Sequence, residues 1–294
     1  MPNFVDGQSL PLNSPSHGKT SKLKEQFIEV ENLNLHYVEI GKGRTVVLIH
    51  GNAGSTKDYQ FGTLAKLAGK YRTIAIDLPG HGSSERKEKS MTINEQATIL
   101  HNALTLIGIK KPILVGHSWG GAVALAYALQ YSGELSGLVL LAPAAYPDPE
   151  SQSRMAALLD VPVLGDLALV VAKPFVSEKI LKEQLETAFY PDPIPTEYFN
   201  AVKDEWLENK QIKTYINDEN ELNKSLQELS KLYNKLHLPV VIVTGDSDRV
   251  VIPQQNAYLL HKTIPKSKLI VLRKTGHQIP QLHPEAVLKA IKKV

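Results

Sequence analysis

The fold is decided by residues 113–131, which read ILVGHSWGGAVALAYALQY. An apolar run typical of a buried strand ends at Val115, and small apolar residues typical of a buried helix begin at Ala122. Between these runs, Ser118 has a glycine two positions away on either side. So tight a reversal from strand to helix strains the backbone of the central residue and lifts its hydroxyl above the sheet edge. The motif therefore predicts a nucleophilic serine at position 118, at the start of a helix.

Strand-like and helix-like segments alternate on both sides of this motif. From residue 25 onward, the alternation predicts a mostly parallel central sheet with helices on both faces. Thr92, with Glu95 three residues later, predicts the capping box of a helix that ends near Ile107. The first two strands are expected to form a hairpin across residues 31–34. The runs that predict strands are 27–30, 35–40, 45–49, 71–76, 113–115, 138–141, 239–243 and 268–272.

The alternation stops in residues 147–236. A sheet protein has no structural need for about 90 extra residues at this point, so we interpret them as a helical cap over a pocket. The core then consists of residues 25–146 and 237–294. Apolar residues between Met155 and Leu169 are candidates either for lining an acyl pocket or for packing the cap onto the core. The helical patterns of the cap cover residues 177–188, 197–208 and 220–236.

Charge, cysteine content and the N-terminal residues exclude several classes of protein. The 33 Lys and Arg against 30 Asp and Glu leave a net charge of +3, too small for a nucleic-acid-binding surface. The absence of cysteine excludes disulfides and thiolate nucleophiles. No apolar run reaches the ~18 residues of a membrane span, and residues 1–24 lack the apolar block of a signal peptide. We therefore predict a flexible tail over residues 1–24 and a cytoplasmic location, while no feature indicates an oligomeric state.

A nucleophilic serine needs a base, and the base needs an acid that orients it. In this architecture both follow later in the chain, the acid before the histidine, each in the loop after a strand. The apolar run 240–244 leads into Asp246 and Asp248, and the apolar run 269–272 leads to His277. Ser118, Asp248 and His277 therefore occur in the expected order.

These motifs resemble those of the α/β-hydrolase fold family over nearly the whole chain after residue 25. The resemblance implies a Ser118–Asp248–His277 triad, in which Asp248 is preferred to Asp246 as the acid. Because some relatives carry the acid after the preceding core strand, Asp148 is a further candidate. The motifs that carry the resemblance are His50-Gly51-Asn52, Asp77-Leu78-Pro79-Gly80-His81-Gly82-Ser83, Gly116-His117-Ser118-Trp119-Gly120-Gly121, Gly245-Asp246-Ser247-Asp248 with Pro253, and Gly276-His277.

The resemblance also implies where an oxyanion would be stabilised. Two backbone N–H groups must converge on the developing negative charge. The family pattern assigns them to Trp119, which follows the nucleophile, and to Asn52, with Ala53 as the alternative. Acyl transfer by such a site requires no metal and no organic cofactor.

The identity of the nucleophile narrows the reaction. Asn52 and Trp119 resemble the halide-holding pair of haloalkane dehalogenases, which share the fold. Displacement of a halide by Ser118 would leave an alkyl ether without an electrophilic carbon, which water could not hydrolyse, and opening an epoxide would end in the same way. Ser118 therefore selects acyl chemistry.

Within acyl chemistry, we predict a carboxylesterase-like hydrolase that acts on small or medium, largely uncharged esters. The turn Gly116-His117-Ser118-Trp119-Gly120-Gly121, which we call the elbow, departs from the Gly-Asn-Ser-Met-Gly-Gly of carbon–carbon hydrolases. Residues 51–54 depart from the Gly-Gly-Pro-Gly of proline-releasing peptidases. Other acyl hydrolysis, carbon–carbon hydrolysis and perhydrolysis remain alternatives. So does a non-catalytic receptor that retains the triad.

Overall fold

The computed structural model of the protein describes residues 3–6, 23–87, 90–148 and 178–294. The strands are β1 (Asn3–Asp6), β2 (Lys24–Val30), β3 (Leu33–Ile40), β4 (Thr45–Ile49), β5 (Arg72–Ile76), β6 (Ile113–His117), β7 (Gly137–Leu141), β8 (Val240–Gly245) and β9 (Lys268–Arg273). The helices are α1 (Lys57–Gln60), α2 (Thr63–Ala68), α3 (Ile93–Leu106), α4 (Trp119–Tyr131), α5 (Glu178–Phe189), α6 (Thr196–Trp206), α7 (Asn209–Leu229), α8 (Ala257–Thr263), α9 (Ile279–Leu282) and α10 (Pro284–Ile291). Short 3₁₀ helices follow α4 and α7, at Ser132–Glu134 and Ser230–Lys235.

Within the described residues the strands form one sheet, in the order β1-β9-β8-β7-β6-β4-β5-β3-β2. The pairs from β5 through β4 to β9 are parallel, and β3 pairs antiparallel with both β2 and β5. The predicted, mostly parallel sheet is therefore confirmed. Because the carboxyl ends of parallel strands meet at one edge of a sheet, the loops after β4, β6, β8 and β9 lie together there.

Both faces of the sheet are buried, as the continuous apolar strands predict. On β4, Val47 and Ile49 pack into one hydrophobic core with α3, α4 and α8, whereas Val46 and Leu48 pack into a second core with α2 and α10. Burying one such side chain stabilises the fold by roughly 1.5–3 kcal/mol. The two cores therefore hold the carboxyl-end loops on a rigid base.

A helix cap and a hairpin turn in the core were both predicted from short sequence signals. Thr92 and Glu95 form the predicted capping box at the start of α3. The hairpin between β2 and β3 turns on Glu31 and Asn32 alone, with φ of 52° and 61°. Two consecutive left-handed residues are what a two-residue turn between twisted strands requires, so Leu33 already belongs to β3.

The three helices α5, α6 and α7 lie between β7 and β8, and we call them the cap helices. Residues 149–177, which include the apolar residues from Met155 to Leu169, lie outside the described residues. The third cap helix begins at Asn209 instead of residue 220, so that prediction was wrong by about three turns. The first half of α7 buries polar side chains, among them Gln211 and Asp218, and therefore lacks the apolar periodicity that marks a helix in a sequence.

The prediction of a flexible tail over residues 1–24 is wrong for residues 3–6. They form β1, which pairs in parallel with β9 from Ile270 to Arg273. The edge of β9 offers unpaired backbone groups, and Phe4 and Val5 are good strand formers. Among the residues that the structure describes, no helix combines the length and apolarity of a membrane span.

Candidate active site

Ser118 occupies the sharp turn between β6 and α4, with φ 53° and ψ −118°. Its N–H donates to Leu141 O at 3.0 Å, and its carbonyl accepts from Gly121 and Ala144. Such a backbone costs about 1–3 kcal/mol and persists only where the surroundings over-determine it. The flanking glycines are required by close packing, because a Cβ at position 116 would collide with Gly120 O. The predicted elbow geometry is therefore present.

Asp248 and His277 are brought together from the loops after β8 and β9. His277 Nδ1 donates to Asp248 Oδ2 at 2.8 Å, and both residues are buried. Asp248 Oδ1 accepts the N–H groups of Val250 and Val251 at 2.8 and 3.0 Å. A carboxylate at Nδ1 places the proton there and leaves Nε2 as the basic nitrogen.

The other two candidate acids have different surroundings. Asp246 is exposed, and its carboxylate accepts from the neighbouring Ser247 hydroxyl at 2.8 Å. Asp148 exchanges two hydrogen bonds with the side-chain amide of Asn223 on α7, both through its own backbone. Of the three, Asp248 is the aspartate whose carboxylate contacts His277.

The loop that carries His277 is held from two directions. The N–H of His277 donates to Ala188 O at the end of cap helix α5, at 3.0 Å. His117 Nε2 donates to the carbonyl of His277 at 3.0 Å, and the two rings lie 4.7 Å apart. Burial, and then the proximity of His277, lowers the pKa of His117 well below its usual value, so His117 remains neutral. The residue before Ser118 therefore ties the histidine loop to the elbow.

The loop after β4 lies directly beside Ser118. A Cβ added at Gly51 would lie 3.2 Å from Ser118 Cβ, so glycine permits this approach. His50, the residue before Gly51, accepts from Leu78 N–H through Nε2 and donates to Gly51 O through Nδ1. Burial lowers the pKa of His50 to about 4, which keeps it neutral and able to make both bonds.

The side chains of Asn52 and Trp119 make specific hydrogen bonds. Asn52 Nδ2 donates to Glu219 Oε1 at 2.7 Å and to Tyr215 O at 3.3 Å, while its Oδ1 accepts from Ala53 N–H at 2.9 Å. The indole of Trp119 donates to Gln96 Oε1 at 3.2 Å. As the first residue of α4, Trp119 has a backbone N–H without an acceptor inside the helix.

Ser118, Asn52 and Trp119 line one cavity of about 250 Å³ beside helix α7. Among the described residues, its wall carries two carboxyl groups, those of Asp148 and Glu219, and no lysine or arginine. Apolar side chains from α7 and from the loop after Asp248 complete the wall: Leu222, Leu226, Val250, Val251 and Ile252.

A family model described as alpha/beta hydrolase fold matches residues 44–284. The chain belongs to this family. The predicted fold and family resemblance are thereby confirmed.

Two relatives of this α/β hydrolase in sequence are named as a hydrolase and as a lipase. It is 29% identical over 261 residues to "Uncharacterized hydrolase YugF" of Bacillus subtilis (strain 168), covering 87% of this chain and 91% of that protein. It is 30% identical over 258 residues to "Lipase 3" of Moraxella sp. (strain TA144), covering 86% and 76%. The structure of the epoxide hydrolase CorEH superposes with a TM-score of 0.77 at 22% identity, covering 92% of this chain and 98% of that one. The last likeness supports the fold alone.

Three polar residues near the site of this hydrolase belong to no motif that the sequence shows. Glu219 contacts Asn52, Gln96 contacts Trp119, and Asp218 contacts Gln96 through its Oδ1 at 3.2 Å. Asp218 and Glu219 lie in a polar stretch of α7 that the sequence analysis did not assign to a helix, and no motif connects them with residues 52 or 119. Only their place in the fold identifies them.

Proposed function

We propose that this hydrolase cleaves small or medium, largely uncharged carboxylic esters through an acyl-enzyme on Ser118. The observation that carries the proposal is the buried 2.8 Å hydrogen bond between Asp248 and His277, in a chain whose Ser118 stands in a strained elbow on the cavity wall. Lipase relatives at about 30% identity support ester substrates.

In the proposed mechanism, His277 Nε2 takes the hydroxyl proton as Ser118 Oγ attacks the acyl carbon. Asp248 holds the imidazole in the required tautomer and stabilises its cation. The tetrahedral intermediate collapses, His277 returns the proton to the departing alcohol, and the acyl group stays on Ser118. Water then attacks the acyl-serine with His277 as base, which releases the acid and restores the hydroxyl.

The N–H groups of Asn52 and Trp119 stabilise the oxyanion of both intermediates in this proposal. The bond from Ala53 N–H to Asn52 Oδ1 supports Asn52 over the alternative, because the N–H of Ala53 is already engaged. The backbone N–H of Trp119 lies one residue beyond the nucleophile, where an oxyanion donor of this fold is expected.

The side-chain bonds of Asn52 and Trp119 argue against halide binding. A halide would need the amide of Asn52 and the indole N–H of Trp119, but these groups donate to Glu219, Tyr215 and Gln96. This adds to the chemical argument that a serine ether cannot be hydrolysed. Acyl transfer therefore remains the better supported reaction.

The test compares wild type, Ser118→Ala and Ser132→Ala in hydrolysis of p-nitrophenyl acetate and butyrate. Ser132 is exposed at the opposite end of α4 and serves as the matched control. We expect steady turnover that Ser118→Ala abolishes and Ser132→Ala retains, together with fluorophosphonate labelling that depends on Ser118.

Two results would contradict the proposal. Turnover that persists in Ser118→Ala would remove the nucleophile assignment. Labelling of Ser118 without turnover of either ester would favour a receptor that retains the triad.

A further inference from the structure

Two consecutive acidic residues of cap helix α7 reach the two residues that would form the oxyanion hole. We propose that Asp218 and Glu219 are positioning residues, which hold Trp119 and Asn52 so that the backbone N–H groups of these two residues face the developing oxyanion. The inference rests on the proposed function, and it assigns to the cap a role in the chemical step in addition to covering the cavity.

Glu219 acts on the loop after β4. Its Oε1 accepts from Asn52 Nδ2 at 2.7 Å, and Tyr215 O, one helical turn earlier, accepts from the same nitrogen at 3.3 Å. At the other end of the amide, Asn52 Oδ1 binds Ala53 N–H, and Ala53 has a left-handed φ of 55°. The Asn52 side chain therefore links the backbone of this loop to α7 at two points.

Asp218 acts on the elbow through Gln96. Gln96 donates to Asp218 Oδ1 at 3.2 Å and accepts the indole N–H of Trp119 at 3.2 Å. The three side chains are buried, so each bond is made without competition from water. If the Gln96 amide were rotated by half a turn, its NH2 group would face the indole N–H and its oxygen would face the carboxylate of Asp218. The orientation of the Gln96 amide is therefore fixed.

The negative charge of Asp218 is balanced at the same place. Arg86 Nη1 donates to Asp218 Oδ1 at 2.6 Å, and His81 Nε2 donates to Oδ2 at 3.0 Å. Because the carboxylate is paired, it can hold Gln96 without presenting an uncompensated charge to the neighbouring oxyanion. Its partners come from the loop after β5, so this attachment joins the cap to the core itself.

Helix geometry explains why two adjacent residues serve two different partners. Successive residues of an α-helix point about 100° apart, so Asp218 and Glu219 face adjoining sides of α7. One side meets α3 and the elbow, and the other meets the loop after β4. Other bonds hold α7 to the core elsewhere, such as the bond from Thr214 Oγ1 to Gly80 O at 3.2 Å. They offer a control for attachment alone.

The test measures kcat and KM for p-nitrophenyl butyrate in Glu219→Leu, Glu219→Gln, Gln96→Leu and Thr214→Val. The affinity of a trifluoromethyl ketone, whose adduct with serine carries the oxyanion, is measured in parallel, together with thermal unfolding. Gln96→Leu breaks the link to Trp119 and leaves Asp218 paired with Arg86 and His81. Glu219→Gln keeps an acceptor for Asn52, and Thr214→Val removes a bond of α7 that reaches neither donor.

We expect Glu219→Leu and Gln96→Leu to lower kcat by roughly 10- to 100-fold, because a misplaced oxyanion donor loses most of its effect. KM should change little, and the affinity for the ketone should fall in parallel with kcat. Glu219→Gln should recover most of the loss, and Thr214→Val should keep the wild-type kcat.

Wild-type kcat in both leucine variants, or a loss confined to KM, would overturn the inference while leaving the proposed function intact. Equal losses in Thr214→Val would also overturn it, because general attachment of the cap would then suffice. Absence of Ser118-dependent turnover in the wild type would instead overturn the proposed function, and the positioning role with it.

Discussion

Asp246 and Asp248 show how two identical residues, two positions apart, acquire different roles. Asp248 is buried, receives two backbone N–H groups on one oxygen and contacts His277 with the other. Asp246 is exposed, and its carboxylate accepts from the hydroxyl of its neighbour Ser247. A buried carboxylate that is fully hydrogen-bonded can hold an imidazole in one orientation, whereas an exposed one exchanges with water.

This difference predicts unequal effects of removing the charge. Asp248→Asn should lower the rate of ester hydrolysis by roughly 10⁴-fold, because His277 would lose its tautomer and the partner of its cation. Asp246→Asn, the matched control, should cost much less. Both rates are measured with p-nitrophenyl butyrate at equal protein concentration, and the reverse ranking would exchange the roles of the two aspartates.

At the scale of single residues, the sequence predicts those that belong to short motifs. Ser118 stands between two glycines whose spacing already encodes the elbow, and Asp248 and His277 each follow a recognisable strand. Glu219 and Gln96 cannot be predicted in this way, because their partners lie 167 and 23 positions away and any polar residue of a solvated helix would look the same. Their roles depend on how α7 packs against the loop after β4 and against α3.

At the scale of elements, helix α4 lies unusually close to strand β4. A Cβ added at Gly120 would collide with the carbonyl oxygens of His50 and Ile49. This approach places the first turn of α4 beside the loop that carries Asn52. The second glycine of the elbow therefore sets the distance between the two proposed oxyanion donors as well as the turn itself.

Replacing this glycine should separate the two elements. Gly120→Ala gains helix propensity but overpacks the interface, so we expect a net loss of about 1–3 kcal/mol in the free energy of unfolding. Its kcat should also fall, because Trp119 moves with the helix. Gly133→Ala is the control, since a Cβ there would meet no atom within 4 Å. Urea unfolding and the ester assay measure both effects, and equal stability of the two variants would contradict the prediction.

The predicted elements agree with the structure where hydrophobic periodicity is strong. The run 45–49 is β4 as predicted, and the capping box at Thr92 starts α3. The start of α7 was missed because its first three turns bury Gln211, Thr214 and Asp218, whose hydrogen bonds to the core replace apolar contacts. The start of α7 is therefore set by tertiary contacts and not by local sequence preference.

At the scale of the whole molecule, one edge of the sheet pairs two strands that are distant in sequence. Strand β1, near the N-terminus, covers the outer edge of β9, which leads into the loop of His277. Four residues are too few to show periodicity, so the sequence does not predict this strand. Its pairing is a property of the assembled sheet, which offers an open edge.

Deleting residues 1–22 should therefore affect stability and leave catalysis unchanged. The deletion removes β1, keeps β2 and exposes the edge of β9, so we expect a lower thermal midpoint and more self-association. The values of kcat and KM should stay near those of the full chain, because none of the proposed site residues lies in that segment. Light scattering, thermal unfolding and the ester assay test this, and a collapse of kcat would place the N-terminal residues in the site.

The polar wall of the cavity bears on how each reaction cycle would end. Under the proposed function an ester enters without charge, but its acyl half departs as an anion. No lysine or arginine of the described wall would form an ion pair with that anion. The acid should therefore be released readily, and inhibition by product should be weak.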